Sequence, residues 1–320
     1  MTTDDKLQEL FERELKQPLA ETASIRQKMH KNMLLAIPFV VMAILMFFVP
    51  IMWLRIVGII AFLLIAIYQF AVSQHYYSKL VPFYRNTLVA KLVKLINPNY
   101  IYSTKERFDL DLFNASKLFQ TKAIRSQEGI MIMGEVEKTP FYFAEVNTEY
   151  VSTNDEGKKT YPTLFYGLMF VADFNKHLQG RTFVVPDKDL KENLLAGKEK
   201  KTHPHYGQLV KLENPEFESI FSVYGDSQQE ARYVLTPAMM EAMTHIYKQY
   251  NRKMYFSFVG SHVYCAISFM HGIALHRVFY PHGKKNTTSL DDLKEPYKLL
   301  ELGELIIKEM NLNTRIWTKK

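Results

Sequence analysis

MLLAIPFVVMAILMFFVPIMWLRIVGIIAFLLIAIYQFAV, residues 33–72, decides how the rest of this 320-residue chain is read. Only Pro38, Pro50, Arg55, Gly58 and Gln69 in this stretch lie outside the apolar set. Of the 40 basic and 33 acidic residues in the chain, Arg55 alone falls inside it. The charge-free run from Met33 to Leu54 would reach about 33 Å as a helix, enough to cross a hydrocarbon layer of about 30 Å. Ile56 to Val72 sits at the lower limit of a crossing. Pro50, Trp53 and Arg55 stand between the two runs. A charge is costly at the bilayer centre and cheap at its edge, and a tryptophan ring suits that edge. The stretch therefore reads as a transmembrane helical hairpin, with helices over 33–54 and 56–72 and a tight turn near 50–55.

The flanks set the orientation. Arg26, Lys28 and Lys31 precede the hairpin, and residues 73–105 carry Lys79, Arg85, Lys91, Lys94 and Lys105 with no Asp or Glu. The turn carries Arg55 alone. The positive-inside bias predicts that both termini lie in the cytoplasm, with the hairpin in a bacterial inner membrane. Trp53, Arg55, Lys79, Arg85, Lys91 and Lys94 are the candidate membrane-interface residues. A cleaved signal peptide fits poorly, because the apolar run starts late and is double.

Residues 1–32 carry six acidic and six basic side chains and balance out. Arg55 adds one of the seven net positive charges, so the other six fall on residues 73–320. Leu7, Leu10, Phe11 and Leu15 recur at helical spacing, predicting a short amphipathic helix that Pro18 interrupts and a second helix from about Thr22. Residues 73–116 read as a basic juxtamembrane helical region, with Lys91 and Lys94 suited to anionic headgroups. Nucleic-acid binding is not expected, since no recognised motif accompanies the basic residues.

From residue 117 the pattern changes to an α+β domain with an antiparallel sheet and flanking helices. Ile130–Val136 and Phe141–Val151 read as strands around a Lys138-Thr139-Pro140 turn, and Asn154-Asp155-Glu156-Gly157 as the next reversal. Thr163–Ala172 and Arg181–Val185 follow as strands, and residues 187–205 as a lysine-rich loop. Tyr233–Leu235 is short and β-like. Thr236-Pro237 is a helix start signal, predicting a helix across Ala238–Tyr250. Lys253–Phe258 and His262–Phe269 flank a Gly260-Ser261 turn, and residues 289–310 read as a terminal helix. One cysteine, Cys265, excludes an intramolecular disulfide and sits in an apolar strand as a buried thiol.

No motif fixes a reaction, and no catalytic residue or cofactor is assigned. His203 and His205 form an H-x-H pair, a weak metal candidate that lacks a third ligand at any recognised spacing. His271 and His276 are five apart and do not share a helix face. The cluster Asp226, Glu230 and Arg232 is the most specific polar grouping. It suits a structural ion-pair and capping network at a strand-to-helix junction, or alternatively a membrane-tethered hydrolase.

Phe221-Ser-Val-Tyr224, Asp226 and Glu230-Ala-Arg-Tyr-Val-Leu-Thr-Pro237 carry a resemblance. So do Ala90-Lys-Leu-Val-Lys94 with Ile96-Asn-Pro98, Gly167-Leu-Met-Phe170 with Asp173-Phe-Asn-Lys176, and Leu312-Asn-Thr-Arg-Ile-Trp-Thr318. Residues 80–320 resemble a bacterial family of unknown function, DUF 3137. The resemblance implies a membrane-anchored bacterial protein, often encoded beside LemA-type membrane proteins. It implies no reaction and transfers no site residue. The expectation is a scaffold that assembles with itself or another membrane protein, such as a LemA-type one, on the lipid bilayer. The alternatives are the tethered hydrolase and an anionic-lipid-binding module.

Overall fold

A computed structural model describes residues 3–186, 202–269, 289–310 and 312. They fall into two compact units, one drawn from 1–96 and 279–298, the other from 97–278 and 299–320.

The first unit is built on two long antiparallel helices, α1 (Asp4–Phe48) and α2 (Met52–Ile96), each long and apolar enough to cross a membrane. Val49, Pro50 and Ile51 make the turn. It is shorter than the expected 50–55. Pro50 disfavours the α conformation in the residue before it, and Val49 is accordingly extended at φ −75°, ψ 125°. Trp53 and Arg55 thus belong to the first turn of α2. Phe39 and Phe62 stack at 6.5 Å between ring centres, and Ser73 Oγ donates to the Met29 carbonyl at 3.0 Å. These contacts fix the register of the pair. The apolar residues of 33–72 stay uncovered by the rest of the chain: Phe48 is 82% exposed and Trp53 67%.

Beyond the apolar stretch the same helices form a stalk with its own core. Leu7, Phe11, Leu15 and Leu19 of α1 and Leu80, Tyr84, Leu88, Val89, Leu92 and Val93 of α2 are buried. The N-terminal stripe therefore packs within the stalk. Pro18 does not interrupt α1. A π turn over Phe11–Leu15 displaces the hydrogen-bond ladder by one residue, so that Lys16 N–H reaches the Phe11 carbonyl. Pro18 then falls in the first turn of the stretch Lys16–Leu45, where its missing N–H costs little. Within the region 73–116 the helix ends at Ile96, because Pro98 biases Asn97 out of the α region.

The second unit is an α+β domain. Its strands are β1 (Ile101–Ser103), β2 (Arg125–Ser126), β3 (Met131–Val136), β4 (Thr139–Glu149), β5 (Ser152–Thr153), β6 (Lys159–Thr160), β7 (Thr163–Asp173), β8 (Arg181–Pro186), β9 (Thr202–His203), β10 (Gly207–Val210), β11 (Phe221–Gly225), β12 (Met254–Val259) and β13 (His262–Ser268). Among the described residues they give an 11-stranded antiparallel sheet in the order β1-β3-β4-β7-β13-β12-β8-β11-β10-β9, with β2 on β4. β5 and β6 pair separately. The β12–β13 hairpin thus lies between β7 and β8, which are neighbours in sequence. The helices of this unit are α3 (Leu110–Ala115), α4 (Pro215–Glu218), α5 (Gln228–Val234), α6 (Pro237–Tyr250) and, from Leu299 onward, the later part of α7 (Asp291–Glu309).

Both faces of the central strands are covered, which is why β7 reads as an unbroken apolar run and not as an alternation. Phe165, Met169 and Val171 face one core with Phe113, Leu118 and Val146. The other face carries Phe143, against which Gly303 of α7 lies, and Phe221, which meets Tyr247 of α6 edge-on at 5.4 Å. The β3–β4 turn is tighter than expected: Glu137 and Lys138 alone make it, Glu137 at φ 55°, and Thr139 already pairs with Val136. Asn154–Gly157 reverses the chain as expected, with Gly157 at φ 77°. Tyr233–Leu235 is not a strand. Ser227 caps α5 by accepting from Glu230 N–H, so Tyr233 lies on a helix. Ser227-Gln-Gln-Glu230 has the spacing of a capping box, the signal that decides this segment. Thr236 caps α6 in the same way, accepting from Met239 N–H.

Candidate functional site

The Asp226 cluster is held by the β11–α5 junction against the loop that enters β8. Asp226 forms a bidentate pair with Arg181, from Nε at 2.8 Å and Nη2 at 2.9 Å, and accepts the Arg181 backbone N–H at 3.0 Å. Glu230 accepts the N–H of Gln179 at 2.8 Å and of Gly180 at 2.7 Å. Two carboxylates thus satisfy three consecutive backbone donors. The Arg181 guanidinium, chiefly through its hydrogen bond, holds the Asp226 carboxyl below the usual range. A side chain at Gly180 would place its Cβ 2.6 Å from Glu230 Oε2. Arg232 is not part of this set: it is exposed and donates to the Lys211 carbonyl at 3.3 Å. The chemistry is that of a clamp. Arg181, the partner of Asp226, lies 45 positions away in sequence, and no spacing signals it.

His203 and His205 sit in an aromatic cluster. The His203 ring stacks on Tyr206 at 4.5 Å, and its Nδ1 accepts N–H from His205 and Tyr206, each at 3.2 Å. His205 Nε2 donates to the Lys117 carbonyl at 2.7 Å. Both rings therefore have a nitrogen committed to the backbone, and among the described residues no three His, Cys, Asp or Glu side chains converge as a metal would require. His271, His276 and residues 187–201 of the lysine-rich loop lie outside the described residues. Cys265 is fully buried in β13, where burial pushes its thiol up, away from a reactive thiolate.

The membrane-interface candidates divide along α2. Trp53 and Arg55 stand beside the turn, and Lys79 lies over the Tyr76 ring at 5.9 Å, just past the apolar stretch. Arg85, Lys91 and Lys94 lie further along the stalk. Lys91 pairs with Glu14 at 2.8 Å and approaches the Glu14 carbonyl, the acceptor Pro18 leaves open, at 3.5 Å. Hydrogen bonding to Lys91 lowers the Glu14 carboxyl. Across the stalk, Arg26 and Tyr84 form a buried polar contact of a kind that hydropathy patterning passes over.

The α+β unit also shows an exposed apolar patch. Ile124, Val151 and Tyr161 are exposed around the β5–β6 hairpin. Ile124 N–H bonds the Glu149 carbonyl and Tyr150 N–H the Pro162 carbonyl, which holds them together. The Arg125 guanidinium lies 3.5 Å over the Tyr161 ring. Exposed aromatic and arginine side chains of this sort are typical of contact surfaces.

No curated protein matches the chain. Among solved structures, the crystal structure of the mycobacterial trehalose monomycolate transport factor A is similar at 9% identity with a TM-score of 0.33, covering 67% of this chain and 93% of that one. Residues 163–312 match the family described as "Protein of unknown function (DUF3137)". That match begins at β7 and takes in the Asp226–Glu230 clamp and α7. Residues 163–312 thus match the model of a domain of unknown function.

Proposed function

We propose that this protein is a membrane-anchored scaffold. The hairpin spans a bacterial inner membrane, both ends of the chain lie on the cytoplasmic side, and the α+β unit assembles with a second copy or with another membrane protein. The single observation that carries the reading is the band of exposed apolar side chains over 33–70, including Phe47, Phe48, Trp53, Ile67 and Tyr68, on two antiparallel helices. Soluble proteins rarely expose contiguous apolar patches beyond a few hundred Å². The basic flanks support a cytoplasmic position for both termini. The Ile124–Val151–Tyr161 patch supplies a surface for a partner, and the resemblance makes a LemA-type membrane protein the partner to try first. A scaffold role fits the Asp226 clamp, whose carboxylates are taken up by the chain's own backbone and by Arg181.

The test is fractionation of expressing cells followed by light scattering of the detergent-purified protein. The scaffold reading expects retention in the pellet after alkaline carbonate and a mass above one chain, or a co-purifying membrane protein. Release by carbonate sinks the anchor. A strict monomer with no companion sinks the scaffold.

A further inference from the structure

The hairpin register brings Lys79 of α2 near Lys28 and Lys31 of α1, at the place where the helices leave the apolar band. The 21 residues of α2 from Met52 to Val72 reach about 31 Å, which matches a hydrocarbon core of about 30 Å. Its far edge therefore lies at Ser73. The Ser73–Met29 hydrogen bond sets the level on α1. Relative to that level, Lys31 lies about 3 Å toward the apolar band, Lys28 about 1.5 Å outward and Lys79 about 9 Å outward. A headgroup layer occupies roughly 5–8 Å on each side of the core, and a lysine stem can carry its ammonium several ångströms along the helix to reach it. Lys91 and Lys94 lie about 27 and 32 Å outward by the same measure.

Charge separates the groups in the same way. Lys28, Lys31 and Lys79 are exposed and make no ion pair among the described residues. Lys79 has only the Tyr76 ring beneath it. On α1 the carboxylate nearest in sequence to Lys28 and Lys31, Glu21, takes the Gln17 amide at 3.2 Å. Lys91 is already matched by Glu14. The Asn32 amide, which lies inside the edge, turns back on the Lys28 carbonyl at 2.8 Å.

We propose that Lys28, Lys31 and Lys79 form a collar that binds the phosphates of anionic phospholipid headgroups. The collar rests on the hairpin spanning a bilayer, and it moves headgroup contact away from Lys91 and Lys94. The ligand chemistry is a phosphate oxyanion, and its source is lipid because Lys31 lies inside the hydrocarbon edge, where free phosphate does not reside.

The experiment purifies the full chain in mild detergent and measures the ratio of anionic to zwitterionic phospholipid bound, by mass spectrometry. Three forms are compared: wild type, Lys28→Gln/Lys31→Gln/Lys79→Gln, and Lys91→Gln/Lys94→Gln. Glutamine keeps most of the stem, and matched thermal unfolding shows that the variants fold. The collar variant is expected to lose anionic enrichment by about fivefold or more, since each basic residue near an anionic surface contributes about that factor. The Lys91/Lys94 variant is expected to match wild type, and salt is expected to weaken the wild-type enrichment. Equal ratios in all three forms overturn the collar, as does an equal loss in the Lys91/Lys94 variant. Displacement of the lipid by millimolar inorganic phosphate assigns the site to free phosphate and overturns the lipid. Release of wild type by alkaline carbonate defeats the anchor itself; retention without enrichment defeats the collar alone.

Discussion

Arg26 donates to the hydroxyl of Tyr84 at 2.9 Å across the stalk, a contact between residues 58 positions apart in sequence. Arg26 is 3% exposed, its other terminal nitrogen donates to the Leu19 carbonyl at 3.0 Å, and its Nε has no partner among the described residues. A buried guanidinium without a carboxylate is costly. What it supplies is a cross-helix contact that favours this register of α1 on α2.

Removing the hydroxyl alone should therefore hurt more than removing both groups. Tyr84→Phe leaves the guanidinium with one acceptor fewer and should cost about 1–3 kcal/mol. In Arg26→Met/Tyr84→Phe the cost should fall well below the sum of the single changes. Thermal unfolding of the four forms in one detergent measures the coupling; additive losses would remove the register role.

The Asp226–Glu230 clamp should act on stability. Glu230→Ala strips the Gln179 and Gly180 N–H groups of their acceptor and should cost about 1–3 kcal/mol. Arg232→Ala, at an exposed residue outside the clamp, should stay within about 0.5 kcal/mol of wild type. Denaturant midpoints of the two variants check the contrast, and similar losses in both would place Arg232 in the clamp after all.

The pH dependence should have two edges. Asp226 is held below the ordinary carboxylate range by Arg181, so its contribution is complete above about pH 4 and is lost as the pH falls through the depressed value. Tyr100 and Tyr250 are raised, by burial first and then by Glu304 and Glu301 respectively. Their contribution is complete below about pH 10 and is lost as the pH rises beyond it. Melting temperature against pH should show a plateau between these limits, and Asp226→Asn should flatten the acid edge only.

Cys265 offers a probe of opening. The thiol is fully buried and pushed up by burial, so a maleimide should fail to label the native protein near neutral pH and should label it fully in denaturant. Rapid labelling of native protein would show that the β12–β13 hairpin opens locally.

The apolar helical hairpin, the antiparallel sheet and most strand positions were legible, because an uninterrupted apolar run and short apolar runs punctuated by turn residues are strong local signals. The errors have local causes. Pro18 read as a break because the π turn that absorbs it leaves no mark in the hydropathy pattern. Tyr233 read as β-like because its apolar neighbours Val234 and Leu235 outweighed the Ser227–Glu230 cap. The site was legible in part. Asp226 and Glu230 stood out as a cluster, but Arg181, Gln179 and Gly180 come to them only through the pairing of β8 with β11, which is long-range information.

The insertion of β12 and β13 between β7 and β8 has a temporal meaning. A ribosome making about 5–20 residues per second needs roughly 4–16 s to travel from Pro186 to Ser268. Throughout that interval the facing edges of β7 and β8 have no strand to pair with, while residues 33–72 have long since emerged. The apolar helical pair is thus synthesised well before the sheet can close. For those seconds the sheet presents an open edge, the feature most prone to mispairing between chains.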